Sequence, residues 1–284
     1  MYDVSKYLNL CNADKVPSPC FLVDTKRVRS NVSCIKEFAN KAGIRVLFAL
    51  KAFALYEVFP LFREVAIGGA ASSVSEAKLA SEFLGGRIHA YCPAYLPSDF
   101  DDIARISSHM TFNSIGEFSR WAQRASFINP NASCGIRINP EYSPVEVDLY
   151  NPCSPNSRLG VLESELRSAL PIVNEMGLSV NDTPLEGFHC HNLCESGAEH
   201  LEKTLFVLHE KFGNYLSKLK WLNLGGGHLV TRNGYDISRA VAALKEFGKK
   251  YPNLEIIIEP GAAFVWDAGY LLATVLDVVS RGFL

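Results

Sequence analysis

Short apolar runs alternate with longer amphipathic stretches along this chain, a pattern typical of β-strands separated by α-helices. Eight apolar runs are predicted strands, and they cover residues 46–50, 69–71, 88–91, 109–112, 134–138, 185–190, 219–224 and 255–259. The amphipathic stretches are predicted helices over residues 25–42, 54–64, 74–84, 97–107, 115–125, 163–176, 198–216 and 237–251. Ser73 before Glu76 and Ser114 before Glu117 mark two helix starts, because an N-cap serine is often paired with a glutamate three residues later.

Strands that alternate with helices imply parallel strands joined by right-handed crossovers. Eight such units predict an α/β fold of the (β/α)8 TIM-barrel type. A doubly wound sheet is the alternative, but such a sheet usually carries its glycine-rich turn after the first strand. Here the glycine run Gly225, Gly226 and Gly227 follows the seventh predicted strand, which favours the barrel.

Two strand-like segments fall outside the eight units. Residues 18–24 form an apolar leader, and residues 268–279 form a long β-branched run with little helical period. We expect both to be strands of another module. The predicted organisation is a leader and β-domain strand over residues 1–24, a barrel over 25–265, and the start of a truncated C-terminal β-domain over 266–284. Residues 139–156 predict a long loop after the fifth strand, where loops often shape a site.

The net charge and the distribution of cysteines limit the classes of protein to which this chain could belong. The net charge is −2 and the pI about 6.4, which gives no electrostatic footprint for nucleic acid or an anionic membrane. We see neither a signal-peptide core nor an apolar run long enough to span a bilayer. The 8 cysteines are scattered without a CxxC pair, which favours reduced thiols and a cytoplasmic location.

The residues with the most chemistry collect at the predicted C-terminal ends of the strands, which in a barrel open into one mouth. Lys51 ends the first strand, where its ammonium group either reaches water or serves a cofactor. The other strand-end residues are Ser72, Ser73, Arg137, Asn139, His189, His191, Gly225, Gly226, Gly227, His228, Glu259 and Gly261.

Each of these features allows more than one interpretation. The glycine run is either a tight turn or a set of amides that approach a phosphate. His189 and His191 could be core residues, a metal pair, or a ring that stacks on a flat ligand; we expect no metal, because no carboxylate flanks them. Glu259 needs either an ion pair with Lys51 or an arginine, or a protonated pyridine nitrogen. Together, a lysine, glycine amides, a flat histidine and a carboxylate are what pyridoxal 5′-phosphate requires.

Sequence motifs point to a family with the same requirement. They are Ala-Leu-Lys-Ala-Phe at 49–53, Tyr-Asn-Pro-Cys at 150–153, Ser-Arg-Leu-Gly at 157–160, His-Cys-His-Asn-Leu-Cys-Glu at 189–195, Gly-Gly-Gly-His at 225–228 and Glu-Pro-Gly at 259–261. With them the chain resembles the fold-type III pyridoxal-phosphate decarboxylases, the ornithine and diaminopimelate decarboxylase group with an alanine-racemase-type barrel. Within that group it is most similar to the carboxynorspermidine (carboxyspermidine) decarboxylases.

The resemblance implies a role for each matching residue. Lys51 would bind the cofactor aldehyde, His191 would stack on its ring, and Glu259 would meet the ring nitrogen. The amides of Gly225, Gly226, Gly227 and Gly261 would bind the phosphate, and Cys194 stands where relatives have a phosphate-contacting serine. Arg137, Glu195 and position 262 are predicted to face the substrate.

Two features depart from the family pattern. The branch usually reads Glu-Pro-Gly-Glu, and this chain has Ala262 at the fourth position, where an acid would suit a substrate amine. The resemblance also implies that family members continue into a β-domain, which closes the site across a homodimer. The residues that this domain contributes to the site cannot be assigned in this sequence. We therefore expect a homodimer of the full-length form.

Three functions follow as hypotheses. The first is decarboxylation of carboxynorspermidine or carboxyspermidine to norspermidine or spermidine in polyamine biosynthesis. The second is a truncated barrel that binds pyridoxal phosphate without catalysis. The third is a metal-dependent hydrolase that uses His189 and His191. Under the first, the partner is a small polyamine-type amino acid, with no nucleic acid or membrane partner.

Overall fold

The computed structural model describes residues 16–170 and 177–282. Its main element is a parallel sheet of 9 strand segments. In chain order these segments are β2 (Arg45–Val46), β3 (Phe48–Ala49), β4 (Gly68–Ala71), β5 (Arg87–Tyr91), β6 (His109–Phe112), β7 (Ser133–Arg137), β10 (Gly187–His189), β11 (Trp221–Asn223) and β12 (Glu255–Ile258). The spatial order is β2-β12-β11-β10-β7-β6-β5-β4-β3.

The sheet closes on itself through its first strand. Segments β2 and β3 are the two halves of one strand, separated by Leu47, and they stand at opposite ends of the spatial order. Leu47 N donates to Ile258 O at 2.9 Å, while Ile67 N donates to Val46 O at 2.8 Å. The first strand thus bonds to both the last and the second strand. The nine segments form eight strands, and the predicted (β/α)8 barrel is confirmed.

Helices cover the outside of the barrel. They are α1 (Thr25–Ala42), α2 (Phe59–Phe62), α3 (Val74–Leu79) with a π-helical turn (Ala80–Leu84), α4 (Phe100–Ile106), α5 (Ile115–Ile128), α6 (Glu163–Ala169), α7 (Ala198–Leu216), α8 (Ile237–Lys250) and α9 (Ala262–Val265). Short 3-10 turns span Leu50–Ala52 and Tyr56–Val58. Helix α1 matches its prediction in full because both ends are capped: the Asp24 side chain accepts from Lys26 N and Arg27 N, and Gly43 ends the helix in a left-handed conformation.

Several predicted elements are wrong in their bounds. The predicted helix 54–64 is a 3-10 turn, Tyr56–Val58, followed by the four-residue helix α2, Phe59–Phe62. The predicted strand 185–190 is broken, because Leu185 belongs to an antiparallel pair, β8 (Leu178–Val180) with β9 (Thr183–Leu185), and only β10 joins the barrel. The predicted helix 97–107 begins at Phe100, and the predicted helix 163–176 ends at Ala169. Residues 171–176 of that prediction lie outside the described residues.

Outside the barrel, β1 (Cys20–Val23) pairs antiparallel with β13 (Gly269–Leu272). Both segments were predicted as strands, and the pairing joins one just before α1 to one just after α9. Phe21 stands opposite Leu271, and the two side chains are 83% and 61% exposed. The assignment of residues 1–24 and 266–284 to a second domain stays a prediction, and residues 1–15 and 283–284 lie outside the described part.

The barrel interior is filled by an indole below the mouth. Trp221 packs with Leu47 and Ile257, and a Cβ atom at Gly135 or Gly187 would lie 2.4 Å or 2.0 Å from its ring. The two glycines therefore make the room that the indole fills. The candidate site lies beyond this packed layer, at the C-terminal ends of the strands.

Candidate active site

Lys51 stands between two cavities at the barrel mouth. It belongs to the 3-10 turn Leu50–Ala52, directly after β3. Lys51, His191 and Glu259 line both cavities, one of about 60 Å³ and one of about 180 Å³. We name them the side-chain cavity, lined further by Ser72, Glu76, His89, Tyr91, Arg137 and His189, and the backbone cavity, lined further by Cys194, Glu195, Gly226, Gly227, Gly261 and Ala262.

Glu259 is an ionised carboxylate on the walls of both cavities. Asn223 Nδ2 donates to its Oε1 at 2.6 Å, and His189 Nε2 lies 3.5 Å from its Oε2. Burial alone would raise the pKa of this carboxyl, but His189 and the Asn223 hydrogen bond outweigh burial and lower the pKa from 4.5 to about 2. Lys51 is not its partner: in residues 16–170 and 177–282, no carboxylate lies within 4.0 Å of the Lys51 amine.

The two histidines of the pair have different surroundings. His189 is 3% exposed, and burial lowers its pKa although Glu259 acts in the opposite direction. Burial also lowers the pKa of His191 well below its ordinary value, with the charges of Lys51 and Arg137 adding to the effect. His191 Nδ1 accepts a hydrogen bond from Gly226 N at 2.8 Å, which suits a neutral ring that keeps its proton on Nε2. His191 is thus a neutral, fixed ring beside Lys51.

Two residues of the glycine run, Gly226 and Gly227, line the backbone cavity, and the three glycines differ in their contacts. Gly225 N donates to Asn223 Oδ1 at 2.9 Å, and Gly226 N is used by His191. In the part of the chain that the structure describes, the amides of Gly227 and Gly261 donate to no backbone carbonyl. Those two amides are therefore the ones open to a ligand, whereas Gly225 does not line either cavity.

Close backbone approach explains why these positions are glycine. Gly225 and Gly227 have φ of +65° and +90°. A Cβ atom at Gly227 would lie 2.2 Å from Leu193 O, and one at Gly225 would lie 2.5 Å from His191 Nδ1. Any side chain here would both strain the backbone and collide with the wall of the site.

Arg137 supports the mouth through its hydrogen bonds. It is 5% exposed, and its guanidinium donates to Tyr91 Oη at 2.9 Å and to His191 O at 2.9 Å. Tyr91 Oη in turn donates to Asn113 Oδ1 at 2.8 Å. The predicted substrate residue Arg137 thus already has two protein acceptors, although it also lines the side-chain cavity.

The other predicted site residues fall on the wall of the backbone cavity. Cys194 and Glu195 are exposed there, and Glu195 has a φ of +47°. Ala262 lies on the same wall at the start of α9. The structure therefore brings together the predicted cofactor and substrate residues except Gly225, which lines neither cavity, and the strand-end residues Ser73 and Asn139 also line neither. Their roles stay predictions.

Several cavity residues were missed by the sequence reasoning. His89 and Tyr91 lie inside an apolar run that was interpreted only as a strand, and Glu76 was interpreted only as a helix-start signal. Asn223, which lines neither cavity but donates to Glu259, was missed in the same way. A signal existed: His89 and Tyr91 are two apart in β5, as are His189 and His191 around β10, so each pair faces the same side. Polar residues at alternate positions of a buried strand indicate the inside of a barrel mouth.

A metal interpretation finds no support in the described residues. No group of three His, Cys, Asp or Glu side chains in that part of the chain could hold a metal ion. The rings of His189 and His191 lie 6.2 Å apart and nearly parallel, and His189 faces Glu259. Separately, no helix among the described residues is both long and apolar enough to cross a membrane.

The barrel matches one protein family along most of its length. The family model described as "Pyridoxal-dependent decarboxylase, pyridoxal binding domain" matches residues 26–266. The carboxyaminopropylagmatine decarboxylase of Synechocystis sp. is 45% identical over 264 residues, covering 93% of this chain and 65% of that protein. The carboxynorspermidine/carboxyspermidine decarboxylase of Campylobacter jejuni is 35% identical over 268 residues, covering 94% and 66%.

Solved structures agree with these sequence matches. The crystal structure of carboxynorspermidine decarboxylase from Campylobacter jejuni, complexed with norspermidine, has a TM-score of 0.82 and 32% identity, covering 94% of this chain and 65% of that chain. The lysine decarboxylase of Selenomonas ruminantium, at 19% identity and a TM-score of 0.76, shows the same fold. The chain spans 65% and 66% of the length of these two curated relatives.

Proposed function

This chain belongs to the pyridoxal-dependent decarboxylase family, and from that premise we propose that it decarboxylates carboxynorspermidine or carboxyspermidine to norspermidine or spermidine in polyamine biosynthesis. The observation that carries the proposal is the joint presence of Lys51, His191 and Glu259 on the walls of both cavities. A second substrate, carboxyaminopropylagmatine, is a candidate because the relative with that name is 45% identical.

The residues of the site fit pyridoxal 5′-phosphate. Glu259 supplies a buried negative charge suited to a protonated ring nitrogen, and His191 supplies a flat neutral ring. The amides of Gly227 and Gly261, with Cys194, suit the phosphate. Both ring nitrogens of His189 are buried without a hydrogen-bond partner, although Nε2 lies 3.5 Å from Glu259 Oε2, and the ring lines the side-chain cavity. Lys51 has an amine free of ion pairs to carboxylates in the described residues, as a covalent link to an aldehyde requires.

When bound, pyridoxal phosphate accepts into its ring the electron pair that the substrate carboxylate leaves behind as it departs as carbon dioxide. The protein side of the reaction follows from its residues. Glu259 keeps its negative charge at neutral pH, because its pKa is about 2, and this charge would favour a proton on the ring nitrogen of a cofactor bound beside it. Lys51 takes and returns protons at Nζ, and the cavity walls hold the substrate in one orientation.

The remaining parts of the proposal concern the whole protein. We infer a homodimer of the full-length form and a cytoplasmic location. The family resemblance supports the first, and the 8 scattered cysteines without a CxxC pair favour the second. The hypothesis of a barrel that binds cofactor without catalysis is decided by the test below, and a metal-dependent hydrolase gains no support from the described residues.

The test is carbon dioxide release together with the absorbance of added pyridoxal phosphate. We expect a visible absorbance band with the chain, its loss in Lys51→Ala, and its retention in Lys78→Ala, an exposed lysine in an ion pair with Asp102. We expect release of carbon dioxide from carboxynorspermidine, carboxyspermidine or carboxyaminopropylagmatine, and their relative rates identify the substrate. A band unchanged in Lys51→Ala would refute the cofactor assignment, and a band without carbon dioxide from any of the three would favour the non-catalytic barrel.

A further inference from the structure

A carboxylate without an assigned role lines the side-chain cavity. Glu76 is the third residue of α3, just beyond the C-terminal end of β4, and it shares this cavity with Lys51, Tyr91 and Arg137. Its first function is structural, because Ser73 Oγ accepts from Glu76 N at 3.2 Å at the start of the helix. That function does not explain why the carboxylate faces the cavity.

The hydrogen bonds of Glu76 leave one oxygen unused. Its Oε2 accepts from Ser72 N at 2.7 Å and from Ser72 Oγ at 2.9 Å. No donor among the described residues reaches its Oε1, and no cation in that part of the chain lies within 4.0 Å of the carboxylate. A carboxylate beside a substrate cavity therefore keeps an open acceptor and an uncompensated charge.

The chain provides its own comparison in the helix that follows β6. Glu117 stands at the same position of α5, with Ser114 Oγ accepting from Glu117 N at 3.1 Å. Its two oxygens are both occupied, Oε2 by Asn113 N at 2.8 Å and Oε1 by Tyr95 N at 2.9 Å. Glu117 lines neither cavity. We call the motif closed at Glu117, where both carboxylate oxygens accept hydrogen bonds, and open at Glu76, where only Oε2 does.

The other charged residues of the side-chain cavity already have protein partners or a proposed role. Arg137 donates to Tyr91 and to the His191 carbonyl, and Glu259 receives Asn223 and contacts His189. Lys51 is the residue proposed to bind the cofactor. Glu76 is thus the charged group on these walls that has neither a protein counter-ion nor a place in the proposed cofactor site, as far as the described residues extend.

We propose that Glu76 Oε1 binds a protonated amine of the substrate's polyamine portion. The inference rests on the proposed function, since it concerns the substrate of the same site. A carboxylate and an ammonium group form a charge-assisted hydrogen bond, and Glu76 is only partly exposed, so solvent and salt screen the pair incompletely. It would also place a carboxylate at the mouth of a site in which the family's second acid is replaced by Ala262.

The experiment measures norspermidine binding to the pyridoxal-phosphate-loaded chain by calorimetry. Glu76→Gln keeps an oxygen that can accept from Ser72 and removes the charge, whereas Glu117→Gln makes the same change in the closed motif. We expect the dissociation constant for norspermidine to rise about tenfold or more in Glu76→Gln and less than twofold in Glu117→Gln. Hexylamine, which lacks the second amine, should bind Glu76→Gln and the unchanged chain equally.

The outcomes separate this inference from the proposed function. Norspermidine affinity unchanged in Glu76→Gln, or an equal loss for hexylamine, would overturn the role of Glu76, as would absence of norspermidine binding to the unchanged chain. Failure of the proposed function is a different result, the absence of carbon dioxide release from every candidate substrate. The helix cap uses the main-chain N of residue 76 and is retained in Glu76→Gln. Parallel thermal melting of both variants checks this: an affinity loss accompanied by a lower melting temperature in Glu76→Gln than in Glu117→Gln would overturn the role of the charge.

Discussion

The two cavities beside Lys51 are lined by different types of residue. The side-chain cavity is walled by histidines, Tyr91, Arg137 and two carboxylates, whereas 7 of the 15 residues that line the backbone cavity are glycine or alanine. In the first, recognition depends on charge and on protonation. In the second, it depends on how closely one stretch of backbone approaches another. The difference predicts that substitutions in the backbone cavity cost stability, while substitutions in the side-chain cavity change the electrostatics of a fold that persists.

Gly227→Ala should have the largest effect. The new Cβ atom would lie 2.2 Å from Leu193 O at a φ of +90°, so the cost combines about 2 kcal/mol of backbone strain with about 2 kcal/mol of overpacking. We expect urea unfolding without cofactor to show a loss of about 4 kcal/mol. Gly234→Ala is the matched control, because Gly234 has a φ of +83° and a Cβ atom added there would have nothing within 4 Å, so it should lose only the strain. Equal losses in both variants would show that contact with Leu193 is unimportant.

Glu259→Gln should have a smaller effect that depends on pH. The pKa of Glu259 is lowered from 4.5 to about 2, so the folded protein gains stability above pH 4.5 that it loses as the pH falls towards 2. The full contribution is about 3 kcal/mol, and the stability difference between the unchanged chain and Glu259→Gln should shrink on acidification. The measurement is urea unfolding of both proteins without cofactor, from neutral pH to about pH 3.

Glu117→Gln provides the control of opposite sign. Burial raises the pKa of Glu117 more than its two backbone hydrogen bonds lower it, so the unchanged chain should gain stability relative to this variant on acidification. A stability difference for Glu259→Gln that stays constant with pH would contradict the view that the wall of the side-chain cavity holds a stabilised negative charge.

Cys194→Ser should have the smallest effect. Cys194 is exposed on the wall of the backbone cavity, and a hydroxyl is a stronger hydrogen-bond donor than a thiol. We expect the dissociation constant for pyridoxal phosphate to fall by about threefold, measured by titrating the cofactor absorbance. Cys92→Ser, outside both cavity walls, should leave it unchanged. Weaker cofactor binding in Cys194→Ser would argue against a phosphate contact at this position.

Much of the fold could be predicted from the sequence, because helices and strands leave local patterns of apolar residues. Helices α1 and α7 were predicted to the residue, since their apolar faces are long and periodic. The break between β9 and β10 was not, because the predicted strand 185–190 includes Leu185, the last residue of β9, and period-two patterning does not reveal a change of partner. The closure of the first strand around Leu47 likewise depends on contacts with the last strand, which no local pattern contains.

The site could be predicted in part for the same reason. Lys51, His191 and Glu259 stand out because each is polar at the end of an apolar run. Asn223 and His89 do not, because their importance comes from neighbours across the barrel, Asn223 with Glu259 and His89 with Asn223 Nδ2 at 3.5 Å. The sequence also could not show that Gly225 N and Gly226 N already have protein acceptors, so it assigned phosphate contacts to amides that are in use.

The pairing of the first strand with the last strand closes the barrel, and it also determines when during folding the site can form. Ala49 N reaches Pro260 O at 3.3 Å, so the lysine and the buried carboxylate stand on the first and last strands of the barrel, side by side. Contacts between such distant parts of a chain form late and slowly, because the entropy of closing a long loop must be overcome first. A nascent or partly folded barrel would hold its helices and most of its sheet while Lys51 and Glu259 were still apart. Cofactor binding that uses both residues therefore requires the completed ring.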